Sequence, residues 1–326
     1  MRALVTGGGG FIGSHLVDEL LYCGHEVRVF DNFSTGDRRN LLHVAGDIDI
    51  VEGDLRSFER ALTAVRDCEV VFHVAALPSV PRSVQDPLTT SEVNVTGTLN
   101  VLLAARDCGV RRVVAASSSS VYGAIEVQQK SETLPTVPLS PYGVSKLAAE
   151  ANCRAFWEVY GLETVTLRYF NVFGPRQNPV SEYAAAIPQF IAAALLGEQP
   201  TIYGDGKQSR DFTFVDNVVR ANLLAAAAPD IGGETFNIAM GGTHSLLELC
   251  DAIGQLAGES LHPRHSDPRP GDVRMSLADI TKARAMLGFE PGTDFSSGLA
   301  ITYDAMVADE TLLPRISEAR RWAAAA

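Results

Sequence analysis

Apolar residues along the chain fall in short continuous runs rich in β-branched types: RALVT (2–6), EVRVF (26–30), IDIVEGD (48–54), EVVFHVAAL (69–77), RRVVAASS (111–118) and TVTLRYF (164–170). Such runs suit strands buried on both faces, as in a parallel sheet. Between them lie amphipathic segments of helical length, such as SHLVDELLYCG and TSEVNVTGTLNVLLAARDCG. Strand and helix alternating five times or more predict an α/β fold, a doubly wound parallel sheet with helices on both faces. After about residue 174 the rhythm breaks: NVFGPRQNPVSEY reads as loop, AAIPQFIAAALLG as helix, and later segments are shorter and richer in Pro and Gly. The pattern assigns residues 1–174, rejoined by 211–239, to the sheet domain. A smaller interleaved substrate lobe takes 175–210 and 240–318, and the tail 319–326 is expected to fray.

TGGGGFIGSHLVDELL follows the first run and opens the first helix. Two templates fit its glycines: Gly8, Gly10 and Gly13 as G-x-G-x-x-G, or Gly7, Gly10 and Gly13 as G-x-x-G-x-x-G. In either, bare backbone turns tightly and approaches a pyrophosphate at the positive end of a helix. Asp31 ends the second run, in VFDNFSTGD, where a Rossmann domain places the carboxylate that binds a ribose diol. That carboxylate repels a 2′-phosphate, so NAD is expected rather than NADP; Arg38 and Arg39 keep NADP open. Phe11, Ile12, Asn32 and Ala75 are assigned to the same cofactor cleft. Asp54 and Leu55, in EGDLRS, are placed to cover the adenine, and Asn94 to begin a helix facing the sheet.

LSPYGVSKLAAEANCRAF carries the punctuation of a helix start, with Ser140 as cap and Pro141 at the first helical position. Tyr142 then falls in the first turn and Lys146 four residues on, which puts phenol and ammonium on one helix face. A free tyrosine has a pKa near 10, so a useful base at neutral pH needs its phenolate favoured by about 4 kcal/mol. The lysine, the helix amino end and an oxidised nicotinamide ring are the positive features expected to supply it. VVAASSSSVYG adds hydroxyls at a strand's carboxyl end, with no carboxylate or histidine among them.

Together TGGGGFIGSHL, EGDLR, HVAAL, VNVTGTLN, SSSSVYG, PYGVSK, LRYFNVFGP, GDGKQSRDF and RPGDVRMSLAD resemble the extended short-chain dehydrogenases/reductases, specifically the NAD-dependent nucleotide-sugar (UDP-hexose) 4-epimerases. The likeness spans almost the whole chain and is closest in pattern to the UDP-N-acetylglucosamine 4-epimerases. It implies that Ser118, four residues before Tyr122, is the catalytic serine, with Ser119 as second choice in a run of four. It also implies that 4,6-dehydratases carry Asp-Glu at the next two positions and decarboxylases a Glu. Here Ser119 and Ser120 stand there, which leaves alcohol oxidation and re-reduction. The implied reaction is redox-neutral: Tyr142 takes the C4 hydroxyl proton, tightly held NAD takes the hydride, and the 4-keto sugar turns over before hydride returns.

The same resemblance assigns Arg210 and Arg269 to the nucleotide diphosphate, Asp272 to the nucleoside ribose, Asn171 to the sugar diphosphate and Tyr169 to the nicotinamide side. Ser79 is expected to be a sugar contact. Ser276, in GDVRMSLAD, occupies a position beside the sugar's C2 substituent where a Tyr would exclude an N-acetyl group. UDP-GlcNAc/UDP-GalNAc is therefore the expected pair, with UDP-Glc/UDP-Gal also used. UDP-glucuronate 4-epimerase is the alternative, and a non-catalytic NAD-binding regulatory protein a further one that Ser118, Tyr142 and Lys146 argue against. Residues 91–107 and 143–159, with alanine- and leucine-rich faces, would pair two copies as a homodimer.

Composition narrows this further. With 39 acidic against 27 basic residues, net charge −12, a nucleic-acid surface is not expected, and any arginine that meets an anion acts at a defined pocket. The five cysteines show no CxxC spacing, so reduced thiols and no metal site are expected. A strand begins at once in MRALVTGGGG and no apolar run reaches membrane-spanning length, so the expected location is cytoplasmic, with no membrane association.

Overall fold

In a computed structural model the chain is described over residues 1–125, 127–180, 185–268 and 273–325, with side chains described as far as 318. The six apolar runs form strands β1 (Arg2–Thr6), β2 (Glu26–Asp31), β3 (Ile48–Glu52), β4 (Val70–His73), β5 (Arg112–Ser118) and β6 (Glu163–Tyr169). A seventh strand, Thr235–Ile238, joins them, and the order is seventh, β6, β5, β4, β1, β2, β3, parallel throughout. The order reverses beside β1, so its carboxyl end opens the crevice where such sheets take ligands. Helix α1 (Phe11–Tyr22) packs on the helix Val215–Ala227 on one face. On the other face α2 (Phe58–Val65) packs on the helix Gly97–Asp107. Two apolar clusters result, one on each side of the sheet.

Beyond the sheet the strands are short. Ser209–Arg210 pairs with His244–Ser245 and Met275–Ser276, and Thr201–Tyr203 with Arg264–Ser266. This is the smaller lobe, interleaved with the sheet through Thr213–Phe214, which pairs with Val172–Phe173. No helix among the described residues is long and apolar enough to cross a membrane.

Two expectations change. The helix containing Asn94 begins not there but at Pro87, where the Asp86 side chain accepts from Thr89 N at 3.0 Å. Asn94 sits instead in a π-turn, Glu92–Thr96, within a helical stretch that continues to Asp107. The end of the chain, expected to fray, is helical over Leu312–Ala325, and buried Leu312 and Ile316 anchor its first turns in the larger core.

Candidate active site

A cleft of about 900 Å³ runs across the carboxyl ends of the strands, from the glycine turn to the serines of β5. Its floor is the first βα turn. Gly7 takes φ +72°, where a side chain is rarely tolerated, and a Cβ there would stand 2.7 Å from Ala75 Cα. A Cβ on Gly13 would stand 2.0 Å from the Gly7 carbonyl oxygen, and Gly10 N donates to that same oxygen at 3.0 Å. Gly7, Gly10 and Gly13 thus form one close-packed turn, while Gly8 faces Val29 of the core.

Asp31 is nine-tenths buried and accepts from Gly9 N at 2.9 Å and Phe33 N at 2.7 Å. Burial pushes its carboxyl above the usual range, and these backbone donors pull it back. Arg38 is paired with Glu52 and Arg39 with Asp37, so both arginines that kept NADP open are engaged by carboxylates. Asn32 donates to Asp54 at 3.2 Å, and Asp54, bound by Arg56, is held down to about 2. Phe11, Ile12, Leu55, Ala75, Ser79, Tyr169 and Asn171 line the same cleft. The floor, the strand-end acid and the engaged arginines fit an NAD molecule.

Asn94 does not line the cleft among the described residues. Its amide accepts from Leu77 N at 2.8 Å and donates to Leu77 O and Ser145 Oγ, which ties the β4 loop to the helix Pro141–Tyr160. That helix starts as its sequence predicts, with Ser140 accepting from Gly143 N at 3.1 Å and Pro141 in the first turn. Tyr142 N is held by Ser83 Oγ at 3.0 Å. Its phenol is buried, which raises its pKa, and a hydrogen bond with Ser118 pulls it back down. Ser118 ends β5 and caps the turn Ser119–Tyr122, accepting from Ser120 N at 3.1 Å. Ser119 and Ser120 also line the cleft.

The Lys146 ammonium donates to Ala116 O at 2.9 Å, and burial holds its pKa down to about 8. Burial disfavours the charged form of both groups, so it raises the phenol while it lowers the lysine. Ser117 donates to the Glu150 carboxylate, which grips Arg168 through two bonds at 2.7 and 2.9 Å.

In the smaller lobe, Arg210 and Ser276 pair in register on neighbouring strands, and Asn171 Nδ2 donates to Asp211 O at 3.1 Å. Neither Arg210 nor Ser276 is part of the cleft's lining among the described residues. Arg269 and Asp272 lie outside the described residues. The sequence reading missed Arg176, which lines the cleft at φ +65° with Nη2 on Asp18 at 2.6 Å, and also Met306, Leu312 and Arg315 from the last two helices. Only the loop character of GPRQNP pointed towards the first, and nothing local pointed towards the others.

A family model described as "NAD dependent epimerase/dehydratase family" matches residues 3–239. The chain is 42% identical over 313 residues to UDP-glucose 4-epimerase of Mycolicibacterium smegmatis, covering 93% of this chain and 98% of that protein. It superposes with TM-score 0.90 and 39% identity on UDP-N-acetylglucosamine 4-epimerase from Methanobrevibacter ruminantium, solved with UDP-N-acetylmuramic acid, over 94% of this chain and 98% of that one. It does so with TM-score 0.88 and 38% identity on UDP-glucose 4-epimerase from Thermus thermophilus in complex with NAD, over 95% and 100%.

Proposed function

The chain belongs to the NAD dependent epimerase/dehydratase family, among its NAD-dependent nucleotide-sugar 4-epimerases, and we propose that it interconverts UDP-GlcNAc and UDP-GalNAc, using UDP-Glc and UDP-Gal as well. The observation that carries this reading is the hydroxyl-only strand end: Ser118 bonds Tyr142, and the next two residues are Ser119 and Ser120. The resemblance implies that elimination and decarboxylation use carboxylates at those two positions; with serines there, oxidation and re-reduction of the alcohol at C4 remain.

The residues divide the work. Gly7, Gly10 and Gly13 let the backbone approach the cofactor's diphosphate, and Asp31 takes the adenosine ribose. NAD, when bound, would supply a reversible hydride acceptor and the positive charge of its oxidised ring. Ser118 orients the substrate's C4 hydroxyl and passes its proton to Tyr142. The phenol, raised by burial, needs that nearby positive charge to hold the proton's departure near neutral pH. Lys146 fixes the strand end through Ala116 O and adds a cation four residues along the same helix. Arg210, Arg269 and Asp272 are assigned to the UDP moiety, with the fork geometry of guanidinium suited to phosphate oxygens.

Proton NMR of the anomeric signals tests the reading, with UDP-GlcNAc, UDP-Glc and UDP-GlcA offered separately and no NAD added. The first two should equilibrate with their C4 epimers; turnover of UDP-GlcA alone would replace this reading with the uronate one. Ser276 is buried and pairs in register with Arg210; the resemblance puts it beside the sugar's C2 substituent, where a small side chain would admit an N-acetyl group. Ser276→Tyr should therefore lower kcat/KM for UDP-GlcNAc by about 100-fold while sparing UDP-Glc within about threefold. Equal loss on both sugars would remove the assignment.

The reading also carries a homodimer. Val144 and Val159 on the helix Pro141–Tyr160 are 53% and 70% exposed, an apolar face suited to a second copy. Light scattering should give twice the chain mass; a monomer at micromolar concentration would refute the pairing.

A further inference from the structure

Lys130 is a lysine 98% buried whose charge no described side chain neutralises (relative exposure 2%). Its ammonium lies 3.4 Å from the Gly123 carbonyl oxygen and 5.9 Å from the Tyr122 ring centroid. The first is the long limit of a hydrogen bond and the second a weak attraction, while an uncompensated buried ammonium is costly. Burial depresses its pKa, and the neighbouring charge that acts on it is another cation, Arg210, which depresses it further.

The backbone explains why the two cations meet. Lys130 pairs with Ala278, its N–H donating to Leu277 O at 2.9 Å and its carbonyl accepting from Asp279 N at 2.8 Å. Two residues earlier on that segment, Ser276 pairs with Arg210. Residues 275–279 therefore hold Arg210 on one side and Lys130 on the other. Gly123 directly follows the Ser119–Tyr122 turn, so the ammonium stands at the junction of the serine turn and the smaller lobe.

We propose that Lys130 binds the nucleotide sugar together with Arg210, its ammonium donating to an anionic oxygen of the substrate's diphosphate. The inference rests on the UDP-sugar reading above. A fold that merely needed a filler here would do better with methionine, which matches the stem and carries no charge. A lysine opposite an arginine suits a ligand with more than one negative charge, and an ammonium serves phosphate as a point charge beside the directional guanidinium.

NAD-loaded wild type, Lys130→Met and Lys130→Arg are compared by calorimetry with UDP, uridine, UDP-Glc and UDP-GlcA, alongside melting temperature and bound NAD. Lys130→Met should keep its NAD, melt no lower than wild type and bind uridine equally, yet bind UDP about tenfold more weakly. Lys130→Arg, which keeps the charge, should recover most of that affinity and also serves if the methionine variant fails to fold. Unchanged UDP affinity in Lys130→Met overturns the proposal. So does equal loss for uridine, which marks a packing role, or a loss confined to UDP-GlcA, which moves the lysine to a sugar carboxylate. A wild-type protein that binds no UDP refutes the nucleotide-sugar reading itself, and this inference with it.

Discussion

Tyr142→Phe should cut kcat by about 10²- to 10⁴-fold and leave a folded protein still loaded with NAD. The substitution isolates one oxygen. The ring of Tyr142 is buried and phenylalanine keeps its packing, while the backbone N–H stays on Ser83 Oγ and the helix start on Ser140, neither of which involves the hydroxyl. Among the described residues, the partner of that hydroxyl that shifts its pKa is Ser118. Burial works against ionisation, so a phenol in this place is inert unless positive charge reaches it. Lys146 donates to Ala116 O, and among the described residues it is not one of the groups that shift the phenol's pKa. Anomeric-proton NMR reads the rate and nucleotide released by acid precipitation reads the cofactor content. Turnover within tenfold of wild type would show that another group takes the C4 proton. Loss of NAD along with activity would mean that the hydroxyl serves the cofactor first.

The parts of the site that sequence made legible are those whose function depends on neighbours in the chain. The glycine turn, the strand-end acid and the Tyr142–Lys146 spacing are set within one βα unit or one helical turn, and so their geometry follows from local rules. The six strands were legible for a related reason: a parallel strand covered on both faces has to be apolar throughout, and the chain records this as an unbroken run. Features that depend on distant partners left no such trace. Ser117 looks like its three neighbours until Glu150, 33 residues on, claims it. Asn94 carries no sign of the π-turn that aims its amide at Leu77 and Ser145. Arg176 adopts a left-handed backbone that composition would assign to glycine, and Lys130 becomes unusual only once residues 275–279 bring Arg210 beside it. Residues 319–325, read as part of a tail, continue a helix that starts at Leu312 and is anchored by Leu312 and Ile316, whose apolar partners lie elsewhere in the chain.

Breaking the Glu150–Arg168 pair should be the most destabilising single change in the sheet. Both side chains are 7% exposed and the carboxylate meets the guanidinium through two bonds. Burial alone would depress the arginine's pKa; the carboxylate more than offsets it and holds the group above its ordinary value. Arg168 Nη1 also donates to Tyr122 OH at 2.8 Å, and Tyr122 donates to Asn237 Oδ1 at 2.7 Å. One network thus ties β5, β6, the seventh strand and the helix that carries Tyr142. Glu150→Ala strands a buried cation and should cost about 3–5 kcal/mol, a large share of the roughly 5–15 kcal/mol that holds a domain folded. Glu150→Leu combined with Arg168→Met removes both charges, and should recover most of that loss, because no buried ion is left without its partner. Urea denaturation of the three proteins decides the matter: a cost below about 1 kcal/mol for the single change would show that water reaches Arg168. Activity of the double variant then separates two roles. Ser117 loses the carboxylate that fixes it, one residue before Ser118, so a stable protein with kcat lowered about tenfold and KM unchanged would mean that the pair also seats the catalytic hydroxyl.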